Sequence, residues 1–166
     1  RYTDVMNQAP DVGSDGHHGH GEPHSHSGLI GALTPEFARD AAAMLRTGGV
    51  QFFQLRTMGG AIAEVDPGET AFPHRDAAFQ VTALGGSPRA LDAAWDGVRN
   101  HLDGLYLSFE TDTDPDRLAD AFGSSALDRL REIKRRHDPQ NLFRDNFNIA
   151  PHTNSNNSDN DPAEDA

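Results

Sequence analysis

Apolar residues recur along this chain in two rhythms, with polar stretches at either end. After Thr34, the positions Phe37, Ala41, Met44 and Leu45 follow a helical spacing. Thr34 supplies a capping hydroxyl, Pro35 fills the first helical position, and Gly48-Gly49 ends the helix. Leu91, Trp95, Val98 and Leu102 repeat the same spacing, which predicts a second helix over Arg89 to Leu102. Alternation marks the strands. Val50 to Arg56 is rich in aromatic and β-branched residues, Gly59-Gly60 supplies a turn, and Ala61 to Val65 continues, together predicting a hairpin. Phe79 to Leu84 and Leu105 to Phe109 predict two further strands. Asp114-Pro115 opens a short helix through Phe122, Ser124-Ser125 caps another, and Ser125 to Arg136 carries Leu127, Leu130 and Ile133 on one side among arginines. The pattern predicts an α+β fold, an antiparallel sheet with flanking helices, and a core between Leu29 and Ile149. The ends, Arg1 to Ser27 and His152 to Ala166, have little to bury and are expected to be disordered coil.

The stretch that follows the last helix carries the most chemistry. Asp138-Pro139 stops the helix, and Leu142 and Phe143 are expected to clamp the returning chain onto the core. Asn146 and Asn148 then stand two apart on a segment expected to be extended, so both face one side. Two amides on one side offer donors and acceptors to a planar heterocycle whose edge alternates N–H, C=O and ring nitrogen. On composition alone, asparagines bonding to local backbone would explain them better.

The run LREIKRRHDPQNLFRDNFNIAP, Leu130 to Pro151, resembles the C-terminal signature of the berberine-bridge-enzyme-like flavoprotein oxidases. A second block, QLRTMGGAIAEVDPGETAFPHRDAAF from Gln54 to Phe79, is similar to a strand-turn-strand segment of the same family with its FPHR sequence. The resemblance runs from about Leu33 to Pro151. It implies a partial substrate domain over 29–136 and a C-terminal flavin-contacting segment over 137–151, flanked by a His/Gly-rich coil (1–28) and an acidic tail (152–166). It also implies FAD as cofactor, with Asn146, Asn148 and Ser108 contacting it. Bound FAD would accept a hydride from an alcohol or amine carbon of a small-molecule substrate. Nothing in the chain resembles the family's flavin-attachment region, and there is no cysteine. The flavin-binding domain is therefore expected as a partner, in cis or in trans, and the chain alone is expected to be inactive.

Departures from the family pattern fall where the base should be. In many members the strand resembled by Tyr106 to Phe109 ends in a tyrosine base; here that position is Phe109, and the family's asparagine is Ser108. Tyr106 is the candidate base on this segment; the alternatives are a residue of the partner domain, a substrate acidic enough to need no strong base, or no activity. His74 and Arg75 of the FPHR sequence either face the flavin or hold structure, Arg75 through Asp76 or Glu69. Gln54 and Arg56 line a sheet face or a cavity.

Charge narrows the function classes. Twenty-six acids against fourteen bases, a net charge of −12, argue against nucleic acid, whose phosphates require a basic field. Lys134 is the sole lysine beside thirteen arginines, a composition expected of a salt-rich cytoplasm. No apolar run approaches the ~20 residues a membrane helix needs. His17, His18, His20, His24 and His26 are weak candidate metal ligands. They support the alternative reading, a small non-enzymatic metal-binding protein, although a glycine-rich loop is costly to order.

Overall fold

A computed structural model describes residues 23–151. Its elements run β1 (His24–Ile30), α1 (Pro35–Arg46), β2 (Phe52–Thr57), β3 (Phe79–Gly85), α2 (Pro88–Arg99) and α3 (Arg117–His137). The three strands form one antiparallel sheet in the order β1-β3-β2, as expected of an α+β fold.

Helices α1 and α2 cover one face of this sheet. Thr34 Oγ1 accepts from the Phe37 amide at 3.1 Å and Ser87 caps α2 in the same way, so both helices start where serine and threonine place them. Phe37, Ala41 and Met44 of α1 meet Leu91, Ala94, Trp95 and Val98 of α2 over Ile30, Val81 and Ala83 of the sheet. Trp95 and Val98 are fully buried. Leu45, expected in this stripe, is instead exposed.

Strand β1 lies partly in the stretch expected to be coil. Its composition, HSHSGLI, hides it, yet six of its seven residues are buried because β3 pairs along the whole strand, from His24 opposite Gly85 to Ile30 opposite Phe79. Tertiary pairing overrides a weak local propensity.

The expected hairpin after β2 does not form. Gly59 and Gly60 have φ of 112° and 53°, and the chain enters a short 3-10 turn, Gly60–Ile62, rather than a strand. Strand β2 pairs instead with β3, Phe52 opposite Leu84 through Thr57 opposite Phe79. The Met58 amide donates to the Ala78 carbonyl at 2.8 Å and closes the long loop between them. Ala61 to Val65 carries few β-formers and loses the competition to FQVTALG.

Leu105 to Phe109 is likewise not a strand. Leu29 and Gly104 form a single bridge, after which Leu107–Phe109 is a 3-10 turn. The segment still covers the free edge of β1, with side-chain bonds between the backbone contacts at Leu29 and at Thr111, whose amide donates to the Ser25 carbonyl at 3.1 Å. Thr111 Oγ1 accepts from the Ser25 amide (3.0 Å), Glu110 accepts from the Ser27 amide (3.3 Å), and Ser27 Oγ donates to the Tyr106 carbonyl (2.5 Å).

Helix α3 breaks at Gly123, whose φ of 64° and ψ of 167° lie outside the helical region, which matches the expected pair of abutting helices. His74 Nε2 lies 2.9 Å and 3.1 Å from the Asp120 and Ala121 carbonyls that the break leaves without helical partners. Its ring also sits where a Cβ on Gly104 would be, so only glycine fits there.

Candidate functional site

Residue 108 and the C-terminal segment meet at a cleft of about 490 Å³, whose walls include Ser108, Asn146, Phe147, Thr111, Glu110 and His24. Ser108 arrives on the 3-10 turn beside β1. Asn146 arrives after α3, on a loop whose course is set by Asp138. The Asp138 carboxylate accepts from the Leu142 amide at 2.8 Å, the Phe143 amide at 3.0 Å and the Lys134 ammonium at 2.5 Å. The Lys134 ammonium, helped by the two amides, holds the Asp138 carboxyl below the usual carboxylate range against the opposing effect of burial. Lys134 also donates to the Phe143 carbonyl, so helix and loop are locked together.

The segment bearing the two asparagines is not extended. Asn146 has φ of 54°, a left-handed conformation that asparagine tolerates better than most residues, and the chain bends there. Period-two facing is therefore lost. Asn146 is exposed at the cleft, whereas Asn148 is half-buried and its Oδ1 lies out of solvent with no hydrogen-bond partner among the described residues. An orphaned buried acceptor is costly and calls for a donor from outside. The Asn146 amide and the Ser108 hydroxyl at the cleft fit the polar rim of a heterocycle such as the flavin ring, whereas Asn148 is not among the cleft's lining residues.

The expected clamp is reversed. Leu142 and Phe143 do not return to the core; they are 72% and 82% exposed. Asp138 satisfies their backbone and leaves their side chains projecting.

Tyr106 is not among the residues lining this cleft. It stacks on Phe109 (6.0 Å between centroids, 26°) and meets Phe72 edge-on at 6.3 Å. The Arg56 guanidinium sits 5.2 Å from the centre of the Phe109 ring, a cation–π contact. Of the FPHR pair, His74 is structural, as described above. Arg75 bonds neither Asp76 nor Glu69: it donates to the Ile62 carbonyl at 3.1 Å and to Thr70 Oγ1, and lies over the Phe72 ring.

The histidine tract divides. His17, His18 and His20 lie outside the described residues. His24 lines the cleft beside Ser108, a placement that its polar surroundings in the sequence concealed. His26 is buried, its Nδ1 2.9 Å from Glu110 Oε1 and its Nε2 2.6 Å from Asp92 Oδ1. Both of its nitrogens are thereby occupied, and among the described residues no three His, Asp or Glu side chains gather to hold a metal ion.

Residues 105–150, which supply both Ser108 and Asn146, match the family described as berberine and berberine-like. That match makes this part of the chain similar to the berberine-like family. It is 30% identical over 110 residues to the FAD-linked oxidoreductase sorD of Penicillium rubens, which covers 57% of this chain and 23% of that protein. Two solved structures share the fold. Wild-type BBE-like 1 of Physcomitrella patens superposes with a TM-score of 0.69 at 23% identity, over 80% of this chain and 31% of its own. The carbohydrate oxidase of Microdochium nivale, solved with a substrate analogue, superposes with a TM-score of 0.66 at 20% identity, over 80% and 33%. The chain thus spans about a quarter to a third of the length of these proteins.

Proposed function

We propose that this chain is the substrate-side portion of an FAD-dependent oxidoreductase that oxidises an alcohol or amine carbon of a small molecule. The observation that carries the reading is that the berberine-like segment, 105–150, contributes both Ser108 and Asn146 to one cleft. The names of the relatives, an FAD-linked oxidoreductase and a carbohydrate oxidase, support hydroxyl oxidation. FAD, when bound, supplies the hydride acceptor.

Ser108, Asn146 and Asn148 are assigned to the flavin rim. Donors to Asn148 Oδ1 and acceptors for the Ser108 hydroxyl and the Asn146 amide come from the ring. Tyr106 is assigned the substrate proton: its Oη makes no hydrogen bond among the described residues, and its ring is held by Phe109 and Phe72. Phe109 itself has no ionisable group and serves as the surface on which Tyr106 and Arg56 rest.

The partner is a flavin-binding portion, in cis or in trans, docked on the Leu142–Phe143 tip. Three features support that occupant. The tip is apolar, yet Asp138 braces it from behind, so its exposure is built in. The exposed Arg135, Arg136 and Arg144 give it a basic surround in an acidic chain. The relatives have about three times the length in which to supply a complementary surface.

The acid-rich, lysine-poor composition supports a salt-rich cytoplasm as the setting. None of the described helices is long and apolar enough to cross a membrane. A melting temperature that falls as salt rises would contradict the salt-rich setting.

A chimera tests the main reading. Replacing the matched 110 residues of sorD with those of this chain should give a protein that retains flavin absorbance and oxidase turnover. A folded chimera that carries no flavin would overturn the assignment.

A further inference from the structure

His26 is a buried ionisable side chain with both ring nitrogens committed, and its surroundings determine its charge. Each ring nitrogen lies within hydrogen-bond distance of a carboxylate oxygen, Glu110 Oε1 at 2.9 Å and Asp92 Oδ1 at 2.6 Å. A neutral imidazole has one N–H and one lone pair, so it cannot donate to both. Two carboxylates at opposite ends of the ring require an imidazolium.

Each carboxylate also meets groups other than His26, or solvent. Glu110, whose side chain is wholly buried, also accepts from the amides of Ser27, Thr111 and Asp112 and from Arg117. Asp92 is largely exposed on α2. The remaining charges around the ring are Asp112 and Arg117, which pair at 2.9 Å, and Arg99 and His24, which line the adjoining cleft of about 430 Å³. The Trp95 ring stacks on His26 from the core side at 5.8 Å.

We propose that His26 is a positioning residue for the candidate site, bridging α2 to the 105–111 segment as an imidazolium and thereby fixing Ser108 against the Asn146 loop. The bridge reaches the site through Glu110, which borders the cleft two residues after Ser108. The part concerning Ser108 rests on the proposed flavin site; the part concerning the imidazolium does not.

A pH dependence follows. Burial works to lower the His26 pKa, but hydrogen bonds to Glu110 and then Asp92 outweigh it, and the pKa is raised above the usual histidine value. A raised pKa means that the bridge stabilises fully below the pKa of an unfolded histidine, about 6.5, and weakens as pH rises through the folded value. A ring that loses its proton can keep only one carboxylate. It keeps Glu110, which cannot leave its buried ring of donors, and releases Asp92, so α2 and the 105–111 segment lose their link.

Nitrogen-detected NMR of the histidine rings in the full chain tests this directly. At a pH near that of an unfolded histidine's midpoint, both His26 nitrogens should carry protons, and the midpoint should lie above the ordinary value. Amide exchange at Tyr106 to Thr111, corrected for its intrinsic base dependence, should accelerate through that same midpoint while the amides of α1 do not. His26→Gln should abolish the pH-dependent step and leave the segment in its faster regime throughout. Should that variant fail to fold, Asp92→Asn, at an exposed position, should lower the His26 midpoint without unfolding the chain. A neutral ring at that pH, an ordinary midpoint, or segment exchange blind to the His26 titration would each overturn the proposal. Because no flavin is added, failure here is separate from failure of the flavin reading.

Discussion

The two sides of the sheet are held by different physics. On one, α1 and α2 bury Phe37, Leu91, Trp95 and Val98 against Val81 and Ala83, a contact set mainly by apolar area. Beside the free edge of β1, the 103–111 segment is attached by hydrogen bonds of Glu110, Thr111 and Ser27 and by a two-bond bridge at Leu29. Apolar packing tolerates small shifts, whereas a polar seam fixes positions because each unmade bond in it is costly. The candidate site stands on the seam, where position matters most.

Variants can separate the two. Trp95→Ala should have the largest effect, about 3–5 kcal/mol, because it empties the centre of the helix-covered side. Urea unfolding should report it as a global loss; a change below ~1 kcal/mol would mean that the core is not centred there. Glu110→Gln should cost about 3 kcal/mol by leaving Arg117 and His26 without their buried carboxylate. Its signature differs: hydrogen exchange should rise first in the 105–116 region while α1 and α2 stay protected. Uniform acceleration would show that the seam and the core are one cooperative unit. Ser replacements at Leu142 and Phe143 should change stability by only ~0.5 kcal/mol or less, since both side chains are already in water. In the chimera with sorD, the same pair should sharply reduce flavin retention; unchanged retention would remove the tip as a docking surface.

What the sequence revealed divides along the same line. The cap at Thr34, the stripes through Phe37 and Trp95, strand β3 and the end of α3 at Asp138 were all legible, because burial and capping leave periodic or local marks. Strand β1 was not. Its serines and histidines form a strand only because β3 runs along it and Glu110 and Thr111 occupy its other edge, and these partners are more than 50 residues away. The hairpin failed for a related reason: Gly59-Gly60 favours a turn but does not choose the partner, and β3 competes better than Ala61 to Val65. At the site, Ser108 and Asn146 came from resemblance, and the cleft brings them together. The even spacing of Asn146 and Asn148 misled because the bend at Asn146 depends on the Asp138 brace, which has no periodic signature. His26 looked like part of a metal tract; its two carboxylates are visible only in three dimensions.

Titration of the isotope-labelled chain with millimolar FMN, followed through its side-chain amide and backbone NMR signals, tests the central assignment most directly. The account predicts weak binding that shifts the Asn146 and Asn148 carboxamides and the Ser108 amide while α1 and α2 remain unmoved. Shifts confined to other surfaces, or none at the asparagines, would contradict it.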